Sequence, residues 1–131
     1  MNGLDTNVLV RYLTQDDPVQ SRKATELIER RFTRERPGFI SLVTMAETVW
    51  VLGSVYELPH RQIANTVERI LQADTLSVQN EQQVFTAMVA LRQGWGTFAD
   101  ALIAALGTWA GCDSTLTFDK KAQRIAGFEL L

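Results

Sequence analysis

Short apolar runs alternate with helical periodicities along the whole chain, and this alternation limits the folds that the chain can adopt. Five runs are predicted as strands, at residues 3–5, 38–41, 75–78, 115–118 and 128–131. Strands that are separated by helices pair in parallel through right-handed crossover connections. The sequence therefore predicts an α/β fold, a three-layer α/β/α sandwich with a central, mainly parallel sheet of about five strands.

The predicted helices begin at residues that are typical of helix N-termini. Asp17 is a candidate N-cap and Pro18 stands at the first helical position, so a helix of about four turns is expected there. Its inner face is predicted to hold Ala24, Leu27, Ile28 and Phe32. A later helix is predicted to turn four apolar side chains inward, namely Val84, Phe85, Met88 and Leu91.

The chain has 131 residues and a formal net charge of −2, and it contains no repeat, low-complexity tract or linker. We therefore expect one domain over residues 1–131, whose folding removes roughly two thirds of the exposed surface from water. The longest stretch without a charged residue, 101–112, has 12 residues, whereas a membrane-spanning helix needs about 20. A cytoplasmic protein without a membrane segment is expected.

Cys112 is the only cysteine and His60 is the only histidine. An internal disulfide and a multi-cysteine metal cluster are therefore excluded, and a metal ion would be held by oxygen atoms. His60 stands near the start of a predicted helix, where we expect an exposed residue and not a catalytic base.

Four acidic residues stand apart from other charges. Asp5 is the only charged residue in its apolar segment, and Asp119 closes the apolar run 115–118. Glu47 and Asp100 are each the only charge in a stretch of 20 residues, although charged residues make up 21% of the chain. Such a stretch would ordinarily hold about four charges. The isolation of these acids therefore needs an explanation.

A shared metal site is one explanation, because a lone buried carboxylate costs several kcal/mol. Asp5 and Asp119 follow predicted strands at their carboxyl ends, where open parallel sheets place their ligand crevice. Glu47 lies about two turns into its helix, and Asp100 lies in the first turn of its helix. If the first, second and fourth strands are neighbours, the four carboxylates converge on one rim, which favours Mg²⁺ or Mn²⁺.

Three of the acids also have an ordinary structural interpretation. Asp5 and Asp100 could cap helix N-termini, and Asp119 could be a turn residue. Glu47 lies inside an apolar helix, where we expect it to be buried, and no Lys or Arg stands three or four residues away to pair with it. The metal-site hypothesis therefore depends most on Glu47.

Four motifs follow one another in order between residues 3 and 119. They are Gly-Leu-Asp-Thr-Asn-Val-Leu at 3–9, Ile-Ser-Leu-Val-Thr-Met-Ala-Glu at 40–47, Phe-Ala-Asp-Ala-Leu-Ile-Ala-Ala at 98–105 and Leu-Thr-Phe-Asp at 116–119. In this order they resemble the PIN-domain ribonucleases, and among these the VapC-type toxins of bacterial toxin–antitoxin pairs.

The resemblance implies a metal-dependent endoribonuclease with Mg²⁺ or Mn²⁺ as cofactor and RNA as substrate. It also implies a homodimer and an antitoxin protein, a segment of which fills the active-site groove. The catalytic, metal-binding residues that it implies are Asp5, Glu47, Asp100 and Asp119, with the hydroxyls of Thr6 and Thr117 orienting them. Many relatives have an acid three residues before the Asp100 position, where this chain has Thr97, so occupancy of a second metal site stays open.

The net charge of −2 leaves no general positive field, so affinity for RNA must come from local groups of cations. Two basic groups are predicted to contact substrate phosphates. One follows the second helix and the other follows Asp119; they contain Arg30, Arg31 and Arg34, and Lys120 and Lys121.

Two alternative functions stay open at this point. A receiver-like phospho-acceptor domain has a similar length and an acidic Mg²⁺ pocket, but it requires two adjacent acids after the first strand, and Asp5 is followed by Thr6 and Asn7. A catalytically silent interaction module with the same fold is the second alternative, and retention of all four acids argues against it. Residues 94–99 imitate a dinucleotide-binding fingerprint, but a helix precedes them instead of a strand.

Overall fold

The computed structural model of the protein describes all 131 residues. Five strands and six α-helices follow one another along the chain, with one π-helical segment and one 3-10 helix. In chain order they are β1 (Asn2–Gly3), α1 (Thr6–Thr14), α2 (Pro18–Glu26), the π-helical segment (Leu27–Arg31), β2 (Gly38–Ile40), α3 (Leu42–Ser54), α4 (His60–Gln72), β3 (Leu76–Val78), α5 (Glu81–Gln93), α6 (Phe98–Trp109), β4 (Thr115–Thr117), the 3-10 helix (Lys120–Arg124) and β5 (Phe128–Leu130).

The chain divides into two compact units. The first contains Met1–Leu58 and Arg69–Gln79, and the second contains Pro59–Glu68 and Asn80–Leu131. The expectation of a single domain stays a prediction. None of the helices has the length and the apolar character needed to cross a membrane.

A three-stranded parallel sheet forms the centre of the first unit. Its order is β1-β2-β3, with Asn2 opposite Gly38 and Gly38 opposite Leu76. Strand β1 is shorter than the predicted strand at 3–5, because Asp5 already acts as the N-cap of α1. Leu4 still donates its N–H to the carbonyl of Phe39 at 2.9 Å, so the chain stays in register up to Asp5.

The second unit contains a two-stranded parallel sheet, in which β4 pairs with β5 and Thr115 lies opposite Phe128. The predicted α/β class and the parallel pairing are confirmed. The strands form a three-stranded and a two-stranded sheet, however, where the sequence predicted one sheet of about five. Apolar runs predict where strands lie, but they do not specify which strands pair, and the second and fourth strands are not partners in either sheet.

Helix α2 begins as predicted. Asp17 is its N-cap, and the Asp17 carboxylate accepts hydrogen bonds from the N–H groups of Val19 at 3.1 Å and Gln20 at 2.9 Å. The helix continues into the π-helical segment, so its apolar face remains continuous. This face packs into the core through three of the four predicted side chains, Ala24, Ile28 and Phe32, while Leu27 is half-buried.

A polar network joins the end of α1 to the segment after α3. The carboxylate of Asp16 accepts hydrogen bonds from the hydroxyls of Tyr56 at 2.6 Å and Thr14 at 2.8 Å, and it pairs with Arg11 at 3.4 Å. The Tyr56 and Thr14 hydroxyls and the Arg11 charge lower the pKa of Asp16 below its usual value. Arg11 also donates to Gln20 at 2.9 Å, so its guanidinium is held in place.

Helices α5 and α6 pack together in the second unit. Val84, Met88 and Leu91 are buried as predicted, but Phe85 is exposed. Residues 84, 88 and 91 share one face of a helix with 3.6 residues per turn, and position 85 is turned about 100° away from position 84. The apolar character of Phe85 alone was therefore a poor guide to its burial.

Gly38 in β2 has room for no side chain. An added Cβ would overlap the ring of the buried Phe32, whereas a Cβ at Gly3 in the neighbouring strand β1 would meet nothing within 4 Å. We expect Gly38→Ala to lower the free energy of unfolding by about 1–3 kcal/mol, because overpacking a core displaces its side chains. Gly3→Ala is the matched control and should change it by less than about 0.5 kcal/mol. Urea unfolding of both variants tests this, and equal midpoints would contradict the close packing of Gly38 on Phe32.

Candidate functional site

Asp5 and Glu47 are brought together in the first unit by Thr6. The N–H of Thr6 donates to Asp5 Oδ1 at 2.7 Å, and the Thr6 hydroxyl donates to Glu47 Oε1 at 2.6 Å. Asp5 Oδ2 and Glu47 Oε2 have no hydrogen-bond partner within the chain. One residue therefore orients two carboxylates and leaves one oxygen of each free to bind a ligand.

Asp5 also plays the capping role that was its structural alternative. It is the N-cap of α1 in an extended conformation, where a side-chain oxygen satisfies an otherwise unpaired N–H. Since the cap uses only Oδ1, capping and ligand binding are compatible at this position.

Glu47 is exposed, so the prediction that it is buried is wrong. Helix α3 buries Met45, Val49 and Leu52 on one face. Glu47 lies on the other face, with Val43 (71% exposed) and Trp50 (65% exposed). The sequence did not indicate which face of α3 is exposed, because apolar side chains occur on both faces of the helix. Glu47 consequently needs no partner to offset burial, and that argument for a metal site no longer applies.

A basic cavity of about 570 Å³ lies between α1 and α2 in the same unit. Arg11, Lys23 and Arg31 line it together with Asn7 and Val8, and no acidic residue lines it. Only Arg31 was among the predicted phosphate contacts. Arg11 and Lys23 were missed because they lie on two different helices and form no basic run in the sequence.

The other two predicted arginines lie elsewhere in the first unit. Arg30 lines a separate cavity of about 480 Å³ together with Arg22 and Glu26. Arg34 is exposed in the segment before β2. The three arginines therefore do not act as one group in this structure.

Asp100 and Asp119 line one cavity of about 610 Å³ in the second unit, together with His60, Lys121 and Arg124. The side chains of Lys121 and Arg124 form no ion pair or hydrogen bond within the chain. The cavity thus combines two carboxylates with two unpaired cations. Lys120, which was predicted to act together with Lys121, is exposed and is not among the residues that line the cavity.

Backbone capping positions both acids of this cavity. Thr97 is the N-cap of α6 and accepts the N–H of Asp100 at 3.1 Å, which leaves both carboxylate oxygens of Asp100 without a partner. Asp119 caps the 3-10 helix through Oδ1, which accepts the N–H of Lys121 at 2.9 Å. The Thr117 hydroxyl accepts the N–H of Asp119 at 3.0 Å. Thr117 thus fixes the backbone of Asp119.

Sequence reasoning did not place His60 or Trp95 in this cavity. His60 is exposed at the first position of α4, as expected, but it also lines the cavity. The one available signal was Trp95 between two glycines, since a large aromatic in a glycine loop often protrudes.

The acids are therefore seen as two pairs, Asp5 with Glu47 and Asp100 with Asp119. The structure gathers no group of three or more His, Cys, Asp or Glu side chains that could hold a metal ion. Each pair presents free carboxylate oxygens, which are the hard donors that Mg²⁺ and Mn²⁺ prefer, so the donor chemistry fits these ions. Convergence of all four acids on one metal site stays a prediction.

Carboxylates at the ends of parallel strands and at helix starts lie where open α/β sheets bind their ligands, and they suit metal-assisted chemistry on phosphodiesters. A model of the PIN domain family matches residues 4–128, which includes all four acids. The chain belongs to the PIN domain family. PIN domains are typically metal-dependent nucleases, which places the protein among hydrolases with a nucleic-acid substrate. A search of curated proteins found no match to the chain.

Divalent metal should stabilise the protein, because it relieves the repulsion between neighbouring carboxylates. A ligand at about 100 times its Kd adds about 2.7 kcal/mol, so millimolar Mn²⁺ should raise Tm by several degrees and EDTA should reverse the gain. Asp5→Asn should reduce this response. Asp113→Asn, which removes an exposed acid outside both pairs, should preserve it. Differential scanning calorimetry tests this, and identical Tm values with and without Mn²⁺ would contradict a metal site.

Proposed function

We propose that the protein is a metal-dependent endoribonuclease that hydrolyses RNA phosphodiester bonds with Mg²⁺ or Mn²⁺ as cofactor. The observation that carries the proposal is the cavity of the second unit, where Asp100 and Asp119 lie beside the unpaired cations Lys121 and Arg124. Acids that bind a metal and cations that bind phosphate are the two components needed to place a phosphodiester against a metal ion. We further propose that residues 1–131 act as one domain.

In this proposal Asp5, Glu47, Asp100 and Asp119 hold the metal. When bound, the ion would supply Lewis acidity toward the phosphodiester and toward an attacking water molecule. Thr6 orients two of the acids through the hydrogen bonds described above. The Thr117 hydroxyl fixes the backbone that carries Asp119.

Cations of this chain hold the substrate backbone. Lys121 and Arg124 bind a phosphate next to Asp100 and Asp119, and their charge offsets the repulsion between these acids and the RNA. The basic cavity of Arg11, Lys23 and Arg31 provides a second phosphate-binding surface. Arg30, Arg34 and Lys120 complete the proposed contacts as exposed charges.

We propose in addition that the protein is the cytoplasmic toxin of a type II toxin–antitoxin pair. The order of its four motifs, which resembles the VapC-type toxins, supports this assignment. A homodimer is supported by the exposed apolar residues Val43 and Trp50 on α3. A small gene directly upstream that encodes a DNA-binding antitoxin would support the pairing, and co-purification of its product would test it.

The PIN family match argues against the receiver-like alternative, since the matched region includes the segment where a receiver needs two adjacent acids. An RNA-cleavage assay distinguishes a catalytically silent module from a nuclease. A silent module cleaves no RNA, whereas a nuclease cleaves RNA and loses this activity when any of the four acids is substituted.

We expect the purified protein to cleave a structured RNA within its unpaired loop in the presence of Mg²⁺ or Mn²⁺. A matched duplex should be a poor substrate, because sequence-specific recognition of RNA favours unstacked, single-stranded segments. Asp100→Asn should lower the rate by at least about 100-fold, since loss of metal or oxyanion stabilisation costs about 2.7 kcal/mol or more. Gel analysis of end-labelled RNA measures this. Equal degradation by wild type and Asp100→Asn would indicate a contaminating nuclease and contradict the proposal.

Lys121 and Lys120 form a matched pair, because they are neighbours in sequence and only Lys121 lines the cavity. Lys121→Gln should weaken binding of single-stranded RNA and reduce the log–log salt slope by about 1, as expected for one lost phosphate contact. Lys120→Gln should change both quantities less. Fluorescence anisotropy at several salt concentrations measures both quantities. Equal effects of the two substitutions would contradict the prediction that RNA phosphate binds in the cavity lined by Lys121.

A further inference from the structure

We infer that Trp95 and the apolar cavity beside it form a subsite for an unpaired RNA base, next to the cavity that holds the phosphate. The inference rests on the proposed function and deepens it, because it identifies the part of the substrate that the second unit recognises.

The backbone of Trp95 is fixed by the end of α5. Gly94 adopts a left-handed conformation (φ 74°) and its N–H donates to the carbonyl of Leu91, while the N–H of Trp95 donates to the carbonyl of Ala90 at 3.0 Å. These are the two hydrogen bonds of a Schellman motif, in which glycine adopts the left-handed conformation without strain.

The loop is also held on its other side. Gly96 packs against the buried Ile125, and an added Cβ would lie 2.5 Å from Ile125 Cδ1. Thr97 then caps α6 through the N–H of Asp100. Trp95 therefore lies between two anchored residues, yet it is 47% exposed. Because the backbone on both sides of Trp95 is already fixed, little backbone entropy is lost when a ligand stacks on its half-exposed ring.

Trp95 lines two cavities at once. The first is the cavity of Asp100, Asp119, Lys121 and Arg124. The second, about 470 Å³, lies along α5 and α6 and has an apolar wall of small residues. A ligand that occupies both cavities therefore lies beside Trp95.

The second cavity has the composition that a flat heteroaromatic group needs. Ala101, Ala105 and Gly127 leave space between the helices, and Trp109 presents a second exposed aromatic ring. Gln83 and Thr108 add polar groups to its lining that can meet the edge of a base. An apolar cavity with a few polar groups is typical of small-molecule and base recognition.

Charge complementarity selects a single-stranded nucleic acid as the occupant, and the proposed function makes this strand RNA. The unpaired cations Lys121 and Arg124 attract phosphates at one side of Trp95, and stacking platforms at the other side accept bases of any identity. A single strand presents this combination of charged backbone and free aromatic faces. A duplex does not, because its bases are stacked on one another.

Binding of two matched ligands in EDTA tests the subsite without metal and without cleavage. One is a short single-stranded RNA, and the other is a ribose–phosphate strand of equal length without bases. Trp95→Ala should weaken binding of the RNA by about 5- to 150-fold, the effect of losing one stacked base, and leave the base-free strand unchanged. Lys121→Gln should weaken binding of both ligands by the same factor.

Three variants serve as controls. Trp95→Phe should restore most of the affinity because it keeps an aromatic face, and Trp95→Leu should not, although it keeps the apolar bulk. Phe85→Ala removes an aromatic residue of similar exposure (49%) that lines neither cavity, and it should leave RNA affinity unchanged. RNA affinities are compared between the wild type and those Trp95 variants whose Tm is close to the wild-type value. If Trp95→Ala is unfolded, Trp95→Leu takes its place, since it also removes the aromatic face.

A spectroscopic signal checks the same contact in a folded protein. In a chain with Trp50→Phe and Trp109→Phe, Trp95 is the only tryptophan, and single-stranded RNA should quench its emission while the base-free strand and a duplex should not.

Equal affinity of wild type and Trp95→Ala for single-stranded RNA would overturn the subsite. A change of oligomeric state in Trp95→Ala, measured by sedimentation, with unchanged RNA affinity would also overturn it and identify Trp95 as a protein contact. Failure of the proposed function has a different result, in which Trp95-dependent RNA binding is present but no RNA is cleaved with Mg²⁺ or Mn²⁺.

Discussion

Parallel pairing of β2 with both of its neighbours determines the geometry of the first unit. Leu4 donates its N–H to Phe39 at 2.9 Å, and Gln79 donates its N–H to Ile40 at 2.9 Å, so the three strands end at the same edge of the sheet. Helix α1 starts directly after β1, and α3 starts directly after β2. Because both helices leave this edge, Thr6 can reach Glu47 across 41 positions of sequence. The pairing of Asp5 with Glu47 follows from the sheet and not from any local contact.

The second unit places its acids by helix capping. The N-cap of α6 is a threonine, which leaves the following Asp100 with both oxygens free. Asp119 is the N-cap of the 3-10 helix, and Lys121, two residues later, lines the same cavity. Such caps cost little, since they satisfy N–H groups that a helix always leaves unpaired. The same short elements therefore stabilise the fold and position charged groups around a cavity.

A protein with a net charge of −2 can bind RNA only where cations are gathered locally. The structure gathers them in two ways. Arg11, Lys23 and Arg31 come together from α1, α2 and the π-helical segment, and Lys121 and Arg124 come from one 3-10 helix beside two acids. Neither group of cations can be recognised from the net charge of the chain. The proposed binding of RNA therefore depends on the local arrangement of charge and not on the net charge.

The sequence by itself determined the α/β class, the parallel pairing, the start of α2 at Asp17 and the four isolated acids, because apolar periodicity and capping residues act locally. Tertiary structure decided the rest. Glu47 and Phe85 are exposed although their surroundings are apolar, since burial depends on which face of a helix meets a neighbour. Strand pairing divided five strands into two sheets, and the approach of α1 to α2 created the basic cavity. Each of these depends on residues far apart in the chain, whose distances are set only when hydrogen-bonded strands and packed helices fix the backbone.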